Sequence, residues 1–356
     1  MRKISAVLLI IAAYLFASCK PVSVPINKSE NIRQNIEDVS PVLSPSKSGQ
    51  FLAARQALFN RDNATAGFYF DQALPKGSRN LLLREQSFLS HYQSGNLARA
   101  AVIAVELEQL GSELSLAAEP ALSVAVVSHD WEAVIALCDK IGLTDNGYIF
   151  ASGLRTLAFV GLGEPETALR EQQRMLDFII DTKTDIPREI LILQQAYLAE
   201  ITGKVAEAIS FYESVGPHNQ DANYTLLAAT AGLWRLGAHD KAKAVLRKYQ
   251  GDELAAERLI YLFKNEQTEL IQKPELRKLF AKFIFEVSWF GRLPLGQTFV
   301  LPRIHLALSI WPGLDLGHLI LAQTYFDQPD YGKASRYLDK IPNTSPVSYT
   351  HLRAHE

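Results

Sequence analysis

A small residue recurs at intervals of 34 positions along most of this chain. The series has eight members, six of them alanine: Ala66, Ala100, Val134, Ala168, Ala208, Ala242, Val300 and Ala334. Two intervals are longer, by six residues after Ala168 and by 24 residues after Ala242. A period of this length is typical of stacked supersecondary units that bury their apolar faces against their neighbours. The register therefore predicts a repeat protein that binds other macromolecules, and it argues against an enzyme.

The other positions of the period predict two helices in each unit. With the small residue as position 20, the units begin at residues 47, 81, 115, 149, 189, 223, 281 and 315. Positions 24 and 27 are mostly apolar, and their spacing places them with position 20 on one helical face. Turn residues such as Gly95 and Asn96 separate the halves, because they suit the end of one helix and the start of the next. The alternative is a non-repetitive helical domain in which the alanines coincide by chance.

This pattern resembles the tetratricopeptide repeat (TPR), which has small residues at positions 8, 20 and 27 and aromatic residues at positions 11 and 24. The unit that begins at residue 189 matches best, with Ala196, Ala208 and Tyr212 at positions 8, 20 and 24. Gln172 departs from the pattern, since it stands where an aromatic residue is usual. The resemblance covers residues 47–348 and implies an all-α fold, a right-handed α-solenoid of antiparallel helix pairs in about eight repeats.

The register also predicts the domain organisation. Repeats 1 to 6 occupy residues 47–256, and repeats 7 and 8 occupy residues 281–348. Residues 257–280 form a helical insertion, in which Pro274 is expected to begin a new helix. Residues 349–356 are interpreted as a non-native tail on a truncated chain, because they resemble an ending that recurs on unrelated protein sequences.

The N-terminus has the pattern of a secretory signal. Two basic residues precede an apolar run over residues 4–16, which is too short to span a membrane comfortably. Residues 15–19 resemble a bacterial lipobox, although Phe16 stands where leucine is usual. The resemblance implies a signal peptide over residues 1–18 and a lipidated Cys19 at the mature N-terminus. An uncleaved signal anchor is the alternative, and a cytoplasmic repeat protein would require that the signal is misinterpreted.

Residues 19–46 are predicted to be a flexible tether, because they are rich in proline, serine and asparagine and have no apolar period. Lys20, directly after the cysteine, indicates the outer membrane. We therefore expect an outer-membrane lipoprotein that faces the periplasm if the source is a diderm bacterium, and a secreted, membrane-anchored protein otherwise.

Composition and motifs give no indication of catalysis. The formal net charge of −2 does not favour binding to nucleic acid. Histidine and cysteine do not occur at metal-ligand spacings inside a repeat, and the chain has neither a phosphate-binding glycine loop nor a nucleophile elbow. Besides Cys19 only Cys138 occurs, at an expected core position, so a disulfide framework is not expected. We predict no enzymatic activity, no cofactor, no metal site and no small-molecule substrate.

Candidate binding residues follow from the TPR resemblance, because the first helices of such arrays line a concave groove. The groove positions are occupied by Tyr92, Tyr197, Glu200, Tyr224, Trp234, Arg235, Trp289, Arg292 and Phe326. Aromatic residues and arginine are favoured anchors at protein interfaces. The competing interpretation is that these large side chains fill the gaps between repeats.

The sequence thus predicts a lipid-anchored periplasmic TPR scaffold that binds proteins or peptides, in envelope assembly or export. The alternative is an accessory or regulatory subunit of a cell-wall or exopolysaccharide enzyme system. Partner identity does not follow from the residues.

Overall fold

The computed structural model describes one helical body that begins at Ser46. The described residues are 46–75, 77–142, 145–184, 186–216, 222–248, 260–261, 263–265, 272–290, 299–328, 330–342 and 345. The predicted signal peptide, Cys19, nearly all of the tether, much of the insertion, Arg292 and the predicted tail lie outside these residues. In the described part of the chain, no helix is both long and apolar enough to cross a membrane.

Within these ranges the fold is all-α, with sixteen α-helices, one short 3-10 helix and no strand. In chain order the α-helices are α1 (Lys47–Phe59), α2 (Asn63–Ala73), α3 (Leu81–Gln93), α4 (Leu97–Gln109), α5 (Glu119–Val127), α6 (Trp131–Ile141), α7 (Asp145–Gly161), α8 (Pro165–Thr182), α9 (Arg188–Ile201), α10 (Val205–Ser214), α11 (Ala222–Arg235), α12 (His239–Leu246), α13 (Leu276–Phe290), α14 (Val300–Ile310), α15 (Asp315–Asp327) and α16 (Tyr331–Leu338). The 3-10 helix Ser115–Ala118 leads directly into α5.

Each odd-numbered helix packs against the helix that follows it. The connections between most partners are turns of three residues, which bring consecutive helices together as antiparallel neighbours. All eight small residues of the 34-residue register lie in the second helix of a pair and are at most 5% exposed. The predicted all-α architecture of adjacent helix pairs is therefore confirmed.

The ends of the helices follow the turn residues of the sequence. The side chains of Asp62, Asn96 and Asp130 each accept a hydrogen bond from the backbone N–H three residues later, at 3.0 to 3.2 Å. Such caps satisfy N–H groups that have no partner inside the helix. Gly95 directly before Asn96 has φ 78°, a left-handed conformation that favours glycine.

Helices α13 and α14 pack against helices that are distant from them in the sequence. Besides each other, α13 contacts α5, α7 and α9, and α14 contacts α3 and α5. An array in which each pair touches only its neighbours would not make these contacts. The cause lies in the sequence of α13, which is apolar on almost every side and has ten buried residues among its fifteen.

Close packing locks α13 against α7. The ring of Phe283 lies over Gly153, where an added Cβ would be 1.8 Å from the phenyl Cζ. Phe280 stacks on Trp131 of α6, with ring centroids 5.6 Å apart and planes 4° apart. The main hydrophobic core contains buried residues of every helix from α5 to α15, and α13 packs within it against α5, α7 and α9.

Candidate functional site: the inner polar clusters and an open groove at Trp234

A buried carboxylate on α13 binds side chains of α9 and α11. Glu286 is completely buried and accepts hydrogen bonds from the side chains of Gln194, Tyr197 and Tyr224. The Tyr197 hydroxyl donates at 3.3 Å. A buried charge is tolerated only when such partners compensate for the lost water. We call Glu286 and its three donors the Glu286 cluster.

The amine of Lys282 lies close to this cluster, one helical turn earlier on α13. Its Nζ atom is 5.1 Å from the centroid of the Tyr197 ring. Burial raises the pKa of Glu286 to about 7, although its hydrogen bonds and the Lys282 charge act in the opposite direction. Burial, together with the nearby charge of Arg235, lowers the pKa of Lys282 to about 8. Both groups consequently titrate close to neutral pH.

Two of the predicted groove residues bind each other beside this cluster. Arg235 on α11 donates from Nε and Nη2 to the two carboxylate oxygens of Glu200 on α9, at 2.8 and 2.7 Å. The Tyr212 hydroxyl adds a third hydrogen bond to Glu200 at 2.6 Å. Bidentate geometry makes this one of the stronger types of ion pair, and both side chains are almost inaccessible to solvent.

A second buried ion pair ties α14 to the N-terminal helices. Arg303 on α14 donates from Nη2 to Glu119 on α5 at 2.6 Å, and the Tyr92 hydroxyl of α3 donates to the same carboxylate. The guanidinium carbon lies 4.0 Å from the centroid of the Phe150 ring on α7, a cation–π contact. Arg303 thereby joins four helices that are far apart in sequence.

The predicted groove residues therefore have different surroundings. Tyr92, Tyr197 and Tyr224 contact side chains of α13 or α14, or a carboxylate that these helices bind, while Glu200 and Arg235 pair with each other. Trp289 is partly buried on α13 itself, and Phe326 is 58% exposed beside Tyr331. Arg292 lies outside the described residues. In this structure Tyr92, Tyr197, Glu200, Tyr224 and Arg235 are therefore bound by side chains of the protein itself.

Trp234 lies instead at an open groove. Its ring stacks on His239 at 4.4 Å between centroids and is tilted against Phe263 at 5.8 Å. The groove has a volume of about 660 Å³, and its described lining consists of Trp234, Arg235, His239, Lys243, Phe263, Lys264 and Gln272. We call it the Trp234 groove. It combines aromatic surface with basic side chains, and no carboxylate occurs among the described residues that line it.

Four charged residues of these clusters, Glu119, Lys282, Glu286 and Arg303, are absent from the predicted groove residues. Lys282 and Glu286 lie within the largely apolar helix α13 and Arg303 within the largely apolar helix α14, and a charge inside such a helix is the sequence signal that could identify them. Charged residues inside an apolar helix must find partners when that helix is buried.

Comparison with known proteins gives no assignment, since neither a protein-family model nor a curated protein sequence matches the chain.

Among the described residues there is no group of three or more His, Cys, Asp or Glu side chains that could hold a metal ion. Cys138 is a free, buried thiol whose pKa is raised by burial.

Proposed function

We propose that the protein is a lipid-anchored scaffold of the TPR type, which binds partner proteins at the periplasmic face of the outer membrane. The 34-residue register supports the repeat assignment, because its small residues occupy equivalent buried positions in successive helix pairs. The lipobox-like sequence ending at Cys19 supports the anchor. A binding role is favoured over catalysis, because the buried carboxylates Glu119, Glu200 and Glu286 are all bound by side chains of the protein itself.

The single observation that carries the binding assignment is the Trp234 groove. Helices α13 and α14 pack against α3, α5, α7 and α9, so a partner cannot bind on that side of these helices while α13 and α14 are in place. The Trp234 groove is open, and it presents the aromatic and basic side chains that protein interfaces favour.

Crosslinking and pull-down with the full-length, processed protein test this assignment. We expect a partner recovered with the wild-type chain to be lost with the double variant Trp234→Ala/Lys243→Ala. Phe68→Ala is a suitable control, because Phe68 is exposed on α2 and outside the groove. Equal recovery of the partner with the groove variant would contradict the proposed site.

The anchor is tested separately by labelling cells with palmitate. We expect Cys19→Ala to abolish incorporation of the label, because the thiol is the atom that would carry the lipid. Cys138→Ala should leave labelling unchanged, since Cys138 lies in the core. Labelling of the Cys19→Ala variant would show that the lipobox interpretation is wrong.

A further inference from the structure

A second cleft lies where several helix turns of distant pairs meet. Its walls come from the α1–α2 turn, the end of α3, the start of α14 and the α15–α16 turn. The cleft has a volume of about 740 Å³, within the range of roughly 300–1,000 Å³ that is typical of small-ligand pockets. It shares no residue with the Trp234 groove. From its chemistry we infer that this polar cleft binds a neutral oligosaccharide.

The first reason is that three amide side chains of the cleft have free donors and acceptors for hydrogen bonds. Asn63, Gln93 and Gln328 line the cleft, and within the described residues their side chains make no hydrogen bond. An amide side chain both donates and accepts, as a sugar hydroxyl does. Arg61, in the α1–α2 turn, adds guanidinium donors that also have no partner among the described residues. Four side chains with free hydrogen-bonding capacity along one cleft match a ligand with several hydroxyl groups.

The second reason is the balance of charge. The lining contains two cations and three carboxylates, of which Asp330 pairs with Lys333 at 2.9 Å. Asp62 caps α2 through the Thr65 N–H, and Asp327 accepts a hydrogen bond from Gln323. The carboxylates are therefore held by the protein, and the cleft has no excess of either sign large enough to select a strongly charged ligand. A neutral ligand is favoured.

The third reason is a small apolar surface beside these amides. Leu301 and Pro302, at the start of α14, line the same cleft. Pyranose rings present C–H faces between their hydroxyl groups, and such faces pack on apolar side chains. Polar groups that fix orientation around an apolar surface are the usual composition of a small-ligand site.

Isothermal titration of the purified full-length protein with maltohexaose, xylohexaose and chitohexaose tests the inference. We expect saturable binding of at least one of these neutral sugars. Affinity should fall about thirtyfold in Gln93→Ala/Gln328→Ala, because two hydrogen bonds of about 1 kcal/mol each are lost and every ~1.4 kcal/mol is tenfold. The matched control is Gln109→Ala/Gln173→Ala, which removes two exposed glutamines of α4 and α8 that do not line the cleft. Thermal melts establish that both variants are folded.

Absence of saturable binding for all three sugars would overturn the inference, and so would equal affinity of the two double variants. Stronger binding of a heparin hexasaccharide than of any neutral sugar would also overturn it, because an anion would then be the preferred ligand. Trp234→Ala/Lys243→Ala should leave sugar affinity unchanged. This control separates the polar cleft from the proposed partner site, so that either assignment can fail without the other.

Discussion

Individual buried charges hold together helices that are distant in sequence. Arg303 and Glu119 are almost completely buried, and their contact joins α14 to α5. The net contribution of such a pair is small, because desolvation opposes the attraction, but an unpaired partner is costly. This asymmetry makes the pair a sensitive probe of how α14 is attached.

Arg303→Met should destabilise the protein by about 3–5 kcal/mol, because Glu119 would remain buried without its cation. Urea unfolding measures the change. The double variant Arg303→Met/Glu119→Gln should recover part of the loss. Lys140→Met is the control for an exposed pair, since Lys140 and Glu108 are more than half exposed, and about 1 kcal/mol or less is expected there. Equal effects of the two single variants would contradict the buried position of Arg303.

Glu286 should make stability depend on pH near neutrality. Its folded pKa of about 7 lies above the ordinary value of 4.5, so the fold favours the protonated carboxyl group. The resulting stabilisation is fully present below the ordinary pKa and is lost as the pH rises through the folded pKa. The free energy of unfolding of the wild type, relative to Glu286→Gln, should therefore fall between about pH 5 and about pH 8. A difference that does not change with pH would contradict this account.

The neighbouring amine contributes with the opposite dependence on pH. The lowered pKa of Lys282 means that its contribution is fully present at high pH and is lost as the pH falls through about 8. Repeating the comparison in a Lys282→Met background isolates the carboxyl group. The fall with rising pH should remain there.

At the level of helices, α13 is fixed against α7 by complementary packing of side chains as well as by the burial of apolar surface. Gly153 provides the space for the Phe283 ring, and a methyl group at this position would overlap with it. Overpacking of this kind displaces side chains and backbone.

Gly153→Ala should destabilise the protein by about 1–3 kcal/mol or more, measured by urea unfolding. Phe283→Leu in the same chain should reduce the penalty, because the smaller side chain leaves room. Gly332→Ala is the matched control: position 332 is helical and open, so the same substitution should be neutral or stabilising by up to about 1 kcal/mol. A penalty at position 332 as large as that at position 153 would contradict the steric explanation.

The sequence predicted the helix pairs well, because their signals are local. Small residues at a fixed spacing and turn residues such as Asp62 and Asn96 determine where helices begin and which face is buried. The place of α13 was not predicted, because the register describes it as one more first helix. Its contacts with α7 and α9 depend on the complementary shape of residues roughly 90 to 130 positions away, and spacing alone carries no such information.

For the same reason the sequence identifies the candidate groove residues but not the side chains that they contact. Tyr197 and Tyr224 were identified as inner-surface residues of first helices. That their hydroxyls donate to Glu286 depends on tertiary packing. The assignment of all nine residues to a partner-binding groove stays a prediction.

At the scale of the helical body, contacts between distant pairs should make unfolding cooperative. A linear array can unfold from its ends, since each repeat is stabilised only by its neighbours. Here α14 contacts α3 and α5, so separation of the C-terminal pairs also exposes the N-terminal core.

Equilibrium unfolding should therefore give one transition at the same urea concentration by circular dichroism and by tryptophan fluorescence. Hydrogen exchange offers an independent measurement: amides of α3 and α14 should have similar protection. A plateau between two transitions, or protection that decreases gradually toward α16, would indicate a linear array instead.

The position of α13 over α9 and α11 also has a consequence for biosynthesis. A ribosome makes α9 before α13, and roughly 75 residues separate Ile201 from Leu276. At ~5–20 residues per second, Gln194 and Tyr197 of α9, which bind Glu286 of α13, stay exposed to water for on the order of 4 to 15 s before α13 begins to be made. During that interval the nascent protein presents a surface that the finished protein conceals, and a chaperone that recognises it would encounter only newly made chains.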